Sequence, residues 1–380
     1  MAYVNGVTTA NVAEARQVID VSKQIGEYVK EAAPFSVILQ RAKKDPVTSW
    51  KYQWYDDEPI GMRTQVKVAN SNVAGDDSLS IDVNDATIFN VADLVKVGRT
   101  GEVMRVTAIT DADTIKVTRA FGTTAIAALQ KDDWLYNLGG AFAEMTGAPD
   151  AIMDQPAMRE NVTQITKTTI KGSGTLEAIR LQTAGNERNR QRRKKSLEHM
   201  LKIERALLYG EKNDGSTGGV RATGGALSFI KTNVMDVNGI LTEAGMNDFA
   251  RLAWSSTASS PTKLLCFSPE VGAIINQFAA NKIETATGDE AYGLRLKKYN
   301  TFFGTFLLAP TRVLELDYAD MMLALDIENI FYRPLKGRDT QLRVDIHNPD
   351  LDGWMDEYLT EFGLQVEMEK THAYAYGITG

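Results

Sequence analysis

The sequence predicts an α+β fold, and three observations support this prediction. Residues 186–209 contain no proline or glycine, which predicts one long helix. Residues 79–140 form short strand-like runs separated by turn residues. Residues 242–335 mix helical and strand patterns, which argues for an α/β or α+β unit that packs helices on a sheet.

Composition sets limits on the kind of protein. The chain has 380 residues, enough for two or three compact units, and its 42 Lys and Arg against 49 Asp and Glu give a net charge of −7. General affinity for nucleic acid is therefore not expected. A single cysteine, Cys266, excludes an internal disulfide and is predicted to lie in a buried strand. Because no signal peptide or membrane-span pattern is present, we expect a protein of the reducing cytoplasm with no membrane partner.

An N-terminal arm is predicted for residues 1–48. Apolar residues recur at helical spacing in residues 12–33, and Pro34 stops the pattern. The apolar residues that follow, 35–39, have no obvious partner nearby. We therefore expect the arm to dock elsewhere on the same chain or on another copy.

A long hairpin arm is predicted from two strand-like runs. Trp50, Tyr52 and Trp54 alternate with polar residues, the period of a half-buried strand, and a second β-rich run occupies residues 161–174. Between them, residues 79–140 contain four or more short strands at nearly even spacing. This spacing predicts a small antiparallel barrel inserted in the hairpin.

Four aromatic residues lie within the predicted barrel: Phe89, Phe121, Trp134 and Tyr136. Aromatic residues interleaved with lysine and arginine are typical of nucleic-acid-binding surfaces. A place in the barrel core explains these four more simply, and we predict that they form it.

The predicted helix of residues 186–209 has two different halves. Asn186 is expected to cap its first turn, and Gly210 to end it in a left-handed conformation. Apolar residues crowd the C-terminal half at three- and four-residue spacing, so that half is expected to pack on a core. The N-terminal half carries six cations over nearly its whole circumference: Arg188, Arg190, Arg192, Arg193, Lys194 and Lys195.

Two interpretations of this basic cluster stay open. In the first it is a solvated face, partly paired with Glu187, Glu198 and Glu204. In the second it binds an external anionic partner, either acidic loops of other subunits or the phosphates of a nucleic acid. Because no acidic residue interrupts the cluster, mutual repulsion favours the second interpretation.

Alternating helices and strands are predicted after the basic helix. One helix covers residues 242–254, and a second opens with Ser268 as its N-cap, followed by proline. Residues 356–380 predict two strands hinged near Phe362 and Gly363.

The remaining motifs argue against an enzyme. Gly210 and Gly215 have the spacing of a phosphate-binding loop, but Ser216 replaces its required lysine. Residues 347–359 resemble a calcium loop, but Leu359 stands where a bidentate glutamate is needed. The histidines lie in three different elements: His199, His347 and His372. We therefore predict no catalytic residue, no metal site, no cofactor-binding residue and no cofactor, and we expect His199 at the surface or in an interface.

The order of these elements resembles the major capsid proteins of tailed bacteriophages with the Hong Kong 97-like fold, and more closely the SU-ten major head protein family. Besides the helix, three segments carry the resemblance: DLVKVGRTGEVMRVTAITDADTIKVTRAFGTT at 93–124, FFGTFLLAPTRVLELD at 302–317, and TEFGLQVEMEKTHAYAYGITG at 360–380. Together with the helix they are spread over residues 93–380.

The resemblance implies a division into domains. The division is an N-arm at 1–48, an extended loop at 49–78 and 141–172, an inserted small β-barrel at 79–140, a peripheral domain at 173–225 and 346–380 with a spine helix at 186–209, and an axial domain at 226–345.

The resemblance also implies a structural function. Copies of the chain would self-assemble into hexamers and pentamers that form the icosahedral head of a virion around double-stranded DNA. The basic cluster at 188–195 would meet the extended loop of a neighbour or the packaged DNA, contacted non-specifically. Further implied partners are a portal protein, a decoration protein and a separate scaffolding protein, since the short N-terminal arm leaves no room for a fused one. Assembly would take place in the cytoplasm of the host bacterium.

Two other classes of protein stay open. An encapsulin-like compartment would share the fold but hold protein cargo in place of a genome, and nuclease-protected DNA inside particles distinguishes the two. A monomeric carbohydrate- or nucleic-acid-binding module would use the barrel. Sedimentation that shows only monomers would favour this last class.

Overall fold

A computed structural model describes residues 34–57, 61–68, 78–147, 156–179, 186–216, 218–278, 283–284 and 296–379. The chain divides into two compact units. The main unit comprises Met1–Asp56 and Ala157–Gly380, and the inserted unit comprises Asp57–Pro156. The helix predicted for residues 12–33 lies outside the described residues.

Helices of the described residues belong to the main unit. They are α1 (Pro34–Ala42), α2 (Gly174–Ala178), α3 (Glu187–Tyr209), α4 (Ala226–Phe229), α5 (Glu243–Ala253), α6 (Pro269–Phe278) and α7 (Leu314–Asp317). The long helix and the two helices predicted after it are confirmed as α3, α5 and α6. Ser268 Oγ accepts a hydrogen bond from the backbone N–H of Val271 at 3.2 Å, which confirms the predicted N-cap of α6.

Strands occur in both units, so the α+β class is confirmed. In chain order they are β1 (Lys51–Asp56), β2 (Arg63–Gln65), β3 (Ser78–Asp82), β4 (Asp93–Val97), β5 (Val103–Asp111), β6 (Thr114–Thr118), β7 (Trp134–Gly140), β8 (Ala157–Val162), β9 (Gln164–Ser173), β10 (Val234–Ile240), β11 (Thr262–Phe267), β12 (Ile283–Glu284), β13 (Lys297–Asn300), β14 (Thr305–Pro310), β15 (Met322–Leu325), β16 (Ile330–Pro334), β17 (Gln341–Arg343), β18 (Gly353–Val366) and β19 (Ala373–Thr379).

A seven-stranded mixed sheet separates two hydrophobic cores of the main unit. Its strand order is β10-β19-β15-β11-β14-β13-β12. Successive side chains of a strand point to opposite faces. Thus Leu265 and Phe267 of β11 pack with α5 and α6, whereas Leu264 and Cys266 pack with the C-terminal half of α3. The predicted buried strand position of Cys266 is confirmed.

β18 is the centre of a second, four-stranded sheet. It pairs with β9 on one side and with β16 and β17 on the other. The predicted hinge at Phe362 and Gly363 is wrong, because β18 runs unbroken to Val366. Gly363 instead allows the side chain of Tyr52 to lie close to the backbone of β18, since a Cβ at position 363 would lie 2.3 Å from the Tyr52 hydroxyl oxygen. The chain turns later, where Met368 has a φ of 47°.

The predicted hairpin arm is present in part. β1 and β8 form a two-stranded antiparallel ribbon in which Lys51 pairs with Val162 and Asp56 with Ala157. The second predicted run, 161–174, starts in β8 but continues as β9, which pairs with β18 instead of β1.

The inserted unit is a six-stranded antiparallel sheet with the order β2-β7-β4-β5-β6-β3. Its two outer strands also meet: a β-bridge joins Val66 to Val83, and the backbone N–H of Lys67 donates to the carbonyl oxygen of Asp82 at 2.8 Å. The interior between the strands is filled mainly by aliphatic side chains, such as Ile81, Val95, Met104, Ile115 and Leu135.

The predicted aromatic core of this unit is wrong for three of its four members. Phe89 is buried, but Phe121 is 49% exposed and Trp134 and Tyr136 are each 37% exposed. For Trp134 and Tyr136 the reason is the alternation of β7, which turns Leu135 inward and its two aromatic neighbours outward.

Candidate assembly surface

α3 is bounded by the two residues that the sequence indicated. The side-chain oxygen of Asn186 accepts a hydrogen bond from the backbone N–H of Arg188 at 2.9 Å and so caps the first turn. Gly210 ends the helix, but its predicted left-handed conformation is wrong, since its φ is −61°. Glycine is needed there for space, because a Cβ would lie 2.5 Å from the carbonyl oxygen of Ala206.

The C-terminal half of α3 packs in the core, as predicted. Ile203, Leu207 and Leu208 are buried in the same cluster as the apolar side of α1. The apolar residues 35–39, which had no obvious partner in the sequence, therefore dock on their own chain.

Glu204 holds the start of α1 and does not neutralise the basic cluster. Its buried carboxylate accepts hydrogen bonds from the backbone N–H groups of Phe35, at 3.1 Å, and Ser36, at 2.6 Å. Burial raises the pKa of Glu204 to about 7, although these hydrogen bonds oppose the rise. The pairing of Glu204 with the cations, which belonged to the first interpretation of the cluster, is therefore wrong.

Two of the six predicted cations hold α3 on the four-stranded sheet. Asp356 of β18 is fully buried, and its carboxylate accepts hydrogen bonds from Arg188 Nε at 3.0 Å, Arg188 Nη2 at 2.7 Å and Arg192 Nε at 2.8 Å. Burial alone would raise the pKa of Asp356, but the two guanidinium groups outweigh it and hold the pKa well below its usual range. Asp356 was not predicted from the sequence, because at least 164 residues separate it from its partners.

Two more of the cations pair along the helix. Arg190 Nη2 lies 2.5 Å from a carboxylate oxygen of Glu187, and Lys195 Nζ lies 2.6 Å from one of Glu198. Hydrogen bonds from Arg190 and Gln191 lower the pKa of Glu187 to about 2. These are pairs of the kind that the first interpretation of the cluster expects.

Arg193 and Lys194 are the exposed members of the cluster. Of the other four cations, Arg188 and Arg192 anchor the helix to β18, and Arg190 and Lys195 pair within the helix. Because at least four of the six cations have carboxylates at hydrogen-bond distance, mutual repulsion within the cluster is largely offset.

His199 lies between α3 and the sheet, not at the surface. Its ring is 1% exposed, with Nδ1 at 3.0 Å from the hydroxyl of Thr168 and Nε2 at 2.7 Å from that of Thr360. Loss of solvation and, less strongly, the nearby charge of Lys202 lower the pKa of His199 to about 4. The expected surface or interface position is wrong.

The exposed large apolar side chains of the main unit include two neighbouring pairs. Tyr55 and Met158 face each other across the β1–β8 ribbon and are 66% and 54% exposed. Phe302 is 99% exposed, and its ring meets that of Phe303 edge-on at a centroid distance of 5.7 Å. Adjacent aromatic residues directly before a glycine are the sequence signal for this second pair.

Three observations bear on metal binding, membrane insertion and thiol chemistry in the described residues. These residues hold no set of three His, Cys, Asp or Glu side chains arranged to bind a metal ion. None of their helices is both long and apolar enough to cross a membrane. Burial raises the pKa of the Cys266 thiol, which disfavours the thiolate.

Solved structures with a similar fold include a capsid, a phage structure and an encapsulin. The capsid of an empty GTA particle aligns with a TM-score of 0.52 at 10% sequence identity, over 98% of this chain and 100% of that one. A structure from Gordonia phage Cozz aligns with a TM-score of 0.50 at 9% identity, over 96% and 92% of the two chains. The SrpI encapsulin of Synechococcus elongatus aligns less well, with a TM-score of 0.41 at 13% identity, over 60% of this chain and 77% of that one.

The first two likenesses establish the fold, which is the Hong Kong 97-like capsid fold. No curated protein matches the chain. A family model described as SU10 major capsid protein matches residues 3–379, which is nearly the whole chain. The chain therefore belongs to the SU10 major capsid protein family.

Proposed function

We propose that this capsid protein forms the icosahedral head of a tailed phage by self-assembly into hexamers and pentamers, and that the head encloses double-stranded DNA. The observation that carries the proposal is the family match over residues 3–379. The fold likeness to the capsid of an empty GTA particle over 98% of the chain supports it.

We also propose the domain division implied by the resemblance, changed where strand pairing requires it. The β1–β8 ribbon leads into the inserted unit, which supports an extended loop at 49–78 and 141–163 that carries an inserted domain. β9, β16 and β17 pair with β18, so we assign residues 164–172 and 330–345 to the peripheral domain. β19 pairs with β10 and β15. We therefore assign residues 373–379 to the axial domain and leave 346–372 in the peripheral domain.

For the basic cluster we propose a divided role. Arg188 and Arg192 position the helix through Asp356, because their donors are already directed at a buried carboxylate. The exposed side chains of Arg193 and Lys194 then meet an acidic surface of a neighbouring subunit or the packaged DNA. Replacement of these two by glutamate should leave a folded subunit that no longer forms shells. Normal particles from this variant would contradict the proposed role.

We also propose which proteins the subunit assembles with and where in the host cell assembly takes place. A separate scaffolding protein, a portal protein and a decoration protein complete the particle, and assembly takes place in the cytoplasm of the host bacterium. The protein acts without catalysis.

Electron microscopy and nuclease treatment of particles from the host bacterium test the function. We expect closed shells of one size class whose DNA is protected from nuclease. Shells with protein cargo and no DNA would instead indicate an encapsulin-like compartment. Purified protein that stays monomeric at every ionic strength would overturn the proposal.

A further inference from the structure

The inserted unit carries the whole net charge of the protein. Residues 57–156 contain 15 Asp and Glu against 8 Lys and Arg, a net charge of −7. The other 280 residues contain 34 acidic and 34 basic residues and are neutral. A partner for the inserted unit must therefore tolerate or complement strong negative charge.

One face of this acidic unit has a different character. The outer face of the neighbouring strands β2, β7 and β4 presents five side chains, which we call the aromatic face: Arg63, Lys96, Trp134, Tyr136 and Leu138. None of the five is acidic. In the strand register Arg63 and Lys96 lie on either side of Tyr136, and the Arg63 guanidinium stacks on the ring of Trp134 at 4.3 Å.

The aromatic face is held in place before any partner binds. Gly98 of the chain beyond β4 lies next to Tyr136, and a Cβ there would lie 2.9 Å from the Tyr136 ring. The missing side chain lets the ring lie against the backbone. The guanidinium of Arg63, stacked on the ring of Trp134, restrains that ring. Little conformational entropy is therefore lost when the face is covered.

The composition of the aromatic face identifies the class of partner. Trp, Tyr and Arg are the residues that dominate binding energy at protein–protein interfaces. Nucleic acids also bind to aromatic rings flanked by cations, but a unit with a net charge of −7 repels phosphates. A protein with an acidic surface fits both the cations and the rings.

The inserted unit itself supplies such a surface. Three exposed carboxylates, which we call the acidic end, lie at the end of β3 and at the turn between β5 and β6: Asp82, Asp85 and Asp111. We propose that the aromatic face of one copy binds the acidic end of the inserted unit of a second copy. The proposal rests on the proposed shell-forming function.

The geometry of such a contact suits a shell. Because the two surfaces are different, the contact is head-to-tail, and it passes from copy to copy until a ring or a closed surface forms. A single weak contact is multiplied by the many copies of a particle. The inserted unit would thus add a second network of contacts to that of the capsid fold.

Substitutions on the full-length protein test the proposal. Trp134→Ser with Tyr136→Ser removes the rings, and Phe121→Ser is the matched control, an exposed ring beside β5 and outside the aromatic face. Since all three side chains are exposed, both variants should fold as subunits, which circular dichroism checks. We expect the double variant to form closed particles with a yield reduced about tenfold or more, and the control to match the wild type.

A charge exchange tests the identity of the partner. Arg63→Glu with Lys96→Glu, and separately Asp82→Lys with Asp111→Lys, should each reduce particle yield. All four changes in one chain should restore it, because the swapped charges again attract each other.

The outcomes separate this proposal from the shell-forming function. Wild-type protein that forms no particles overturns both. Normal particles from the Trp134 and Tyr136 variant, or a fourfold variant no better than its two halves, overturn only the contact between inserted units. Normal particles that lose affinity for a glycan or a nucleic acid would likewise overturn it and assign the face to that ligand.

Discussion

The contact between Asp356 and the basic helix gives the sharpest prediction about stability. Asp356→Asn keeps the shape of the side chain but removes the charge that faces Arg188 and Arg192. Those two guanidinium groups would then share one neutral acceptor at the base of α3. We expect a subunit that still folds but unfolds more easily.

The magnitude follows from burial. Breaking a buried ion pair typically costs about 3–5 kcal/mol. The carboxylate is fully buried, but the side chains of Arg188 and Arg192 are 16% and 23% exposed, so water reaches both charges, and Arg188 keeps its contact with Asp345. We therefore expect a loss of about 3 kcal/mol, the lower end of that range. For a domain of 150–250 residues this corresponds to a fall in Tm of about 6–12 °C.

Thermal unfolding of the unassembled subunit at neutral pH, followed by circular dichroism, measures this loss. Asp345→Asn is the matched control: Asp345 lies 2.5 Å from Arg188 Nη2, but its side chain is 52% exposed. Exposed pairs contribute about 0–1 kcal/mol, so the control should change Tm little. Equal losses from the two variants would refute the argument that the buried carboxylate holds the helix.

Three further predictions concern other parts of the main unit. The pKa of His199 is lowered to about 4 in the folded protein, so as pH falls below about 6.5 the unfolded state binds the proton first. The free energy of unfolding should therefore drop by up to about 3 kcal/mol toward pH 4. Urea unfolding of His199→Asn should lack this part of the pH dependence. Gly210→Ala places a Cβ 2.5 Å from a backbone carbonyl oxygen and should lower the free energy of unfolding by about 2 kcal/mol or more. Gly147→Ala, where no atom lies within 4 Å of the new Cβ, should lower it little. Thermal unfolding of the two variants compares these losses. Phe302→Ser should leave subunit Tm unchanged, since the ring is 99% exposed, but reduce particle yield by light scattering.

Elements set by local pattern could be predicted from the sequence. The extent of α3, the N-caps at Asn186 and Ser268, and the buried strand around Cys266 depend on residues near one another in the chain. Partners that are distant in sequence could not be found in this way. Asp356 sits in a stretch whose acidic residues look solvated, and nothing local indicates that β18 passes beneath the first turns of α3.

Two errors came from applying a correct rule incompletely. Trp134 and Tyr136 are separated by one residue, so in a strand they share a face that Leu135 cannot share. Either the two aromatic residues or Leu135 had to point outward. Because the neighbouring strands fill the core with aliphatic side chains, Leu135 points inward and the aromatic residues point outward. Gly363 looked like a hinge, but glycine in a strand also marks a close approach, here by Tyr52.

Polar contacts between α3 and the four-stranded sheet show that the basic helix has a structural role in the fold as well as an exposed surface. Apolar contacts alone are non-directional and would allow several registers of a long helix on a sheet. Asp356 with its two arginines and His199 with its two threonines are directional, and each would lose its partners if the helix turned or slid by one residue. The polar contacts therefore select one register. That register decides which cations of the cluster are used internally and leaves Arg193 and Lys194 on the outer side, where a neighbour or a nucleic acid can reach them.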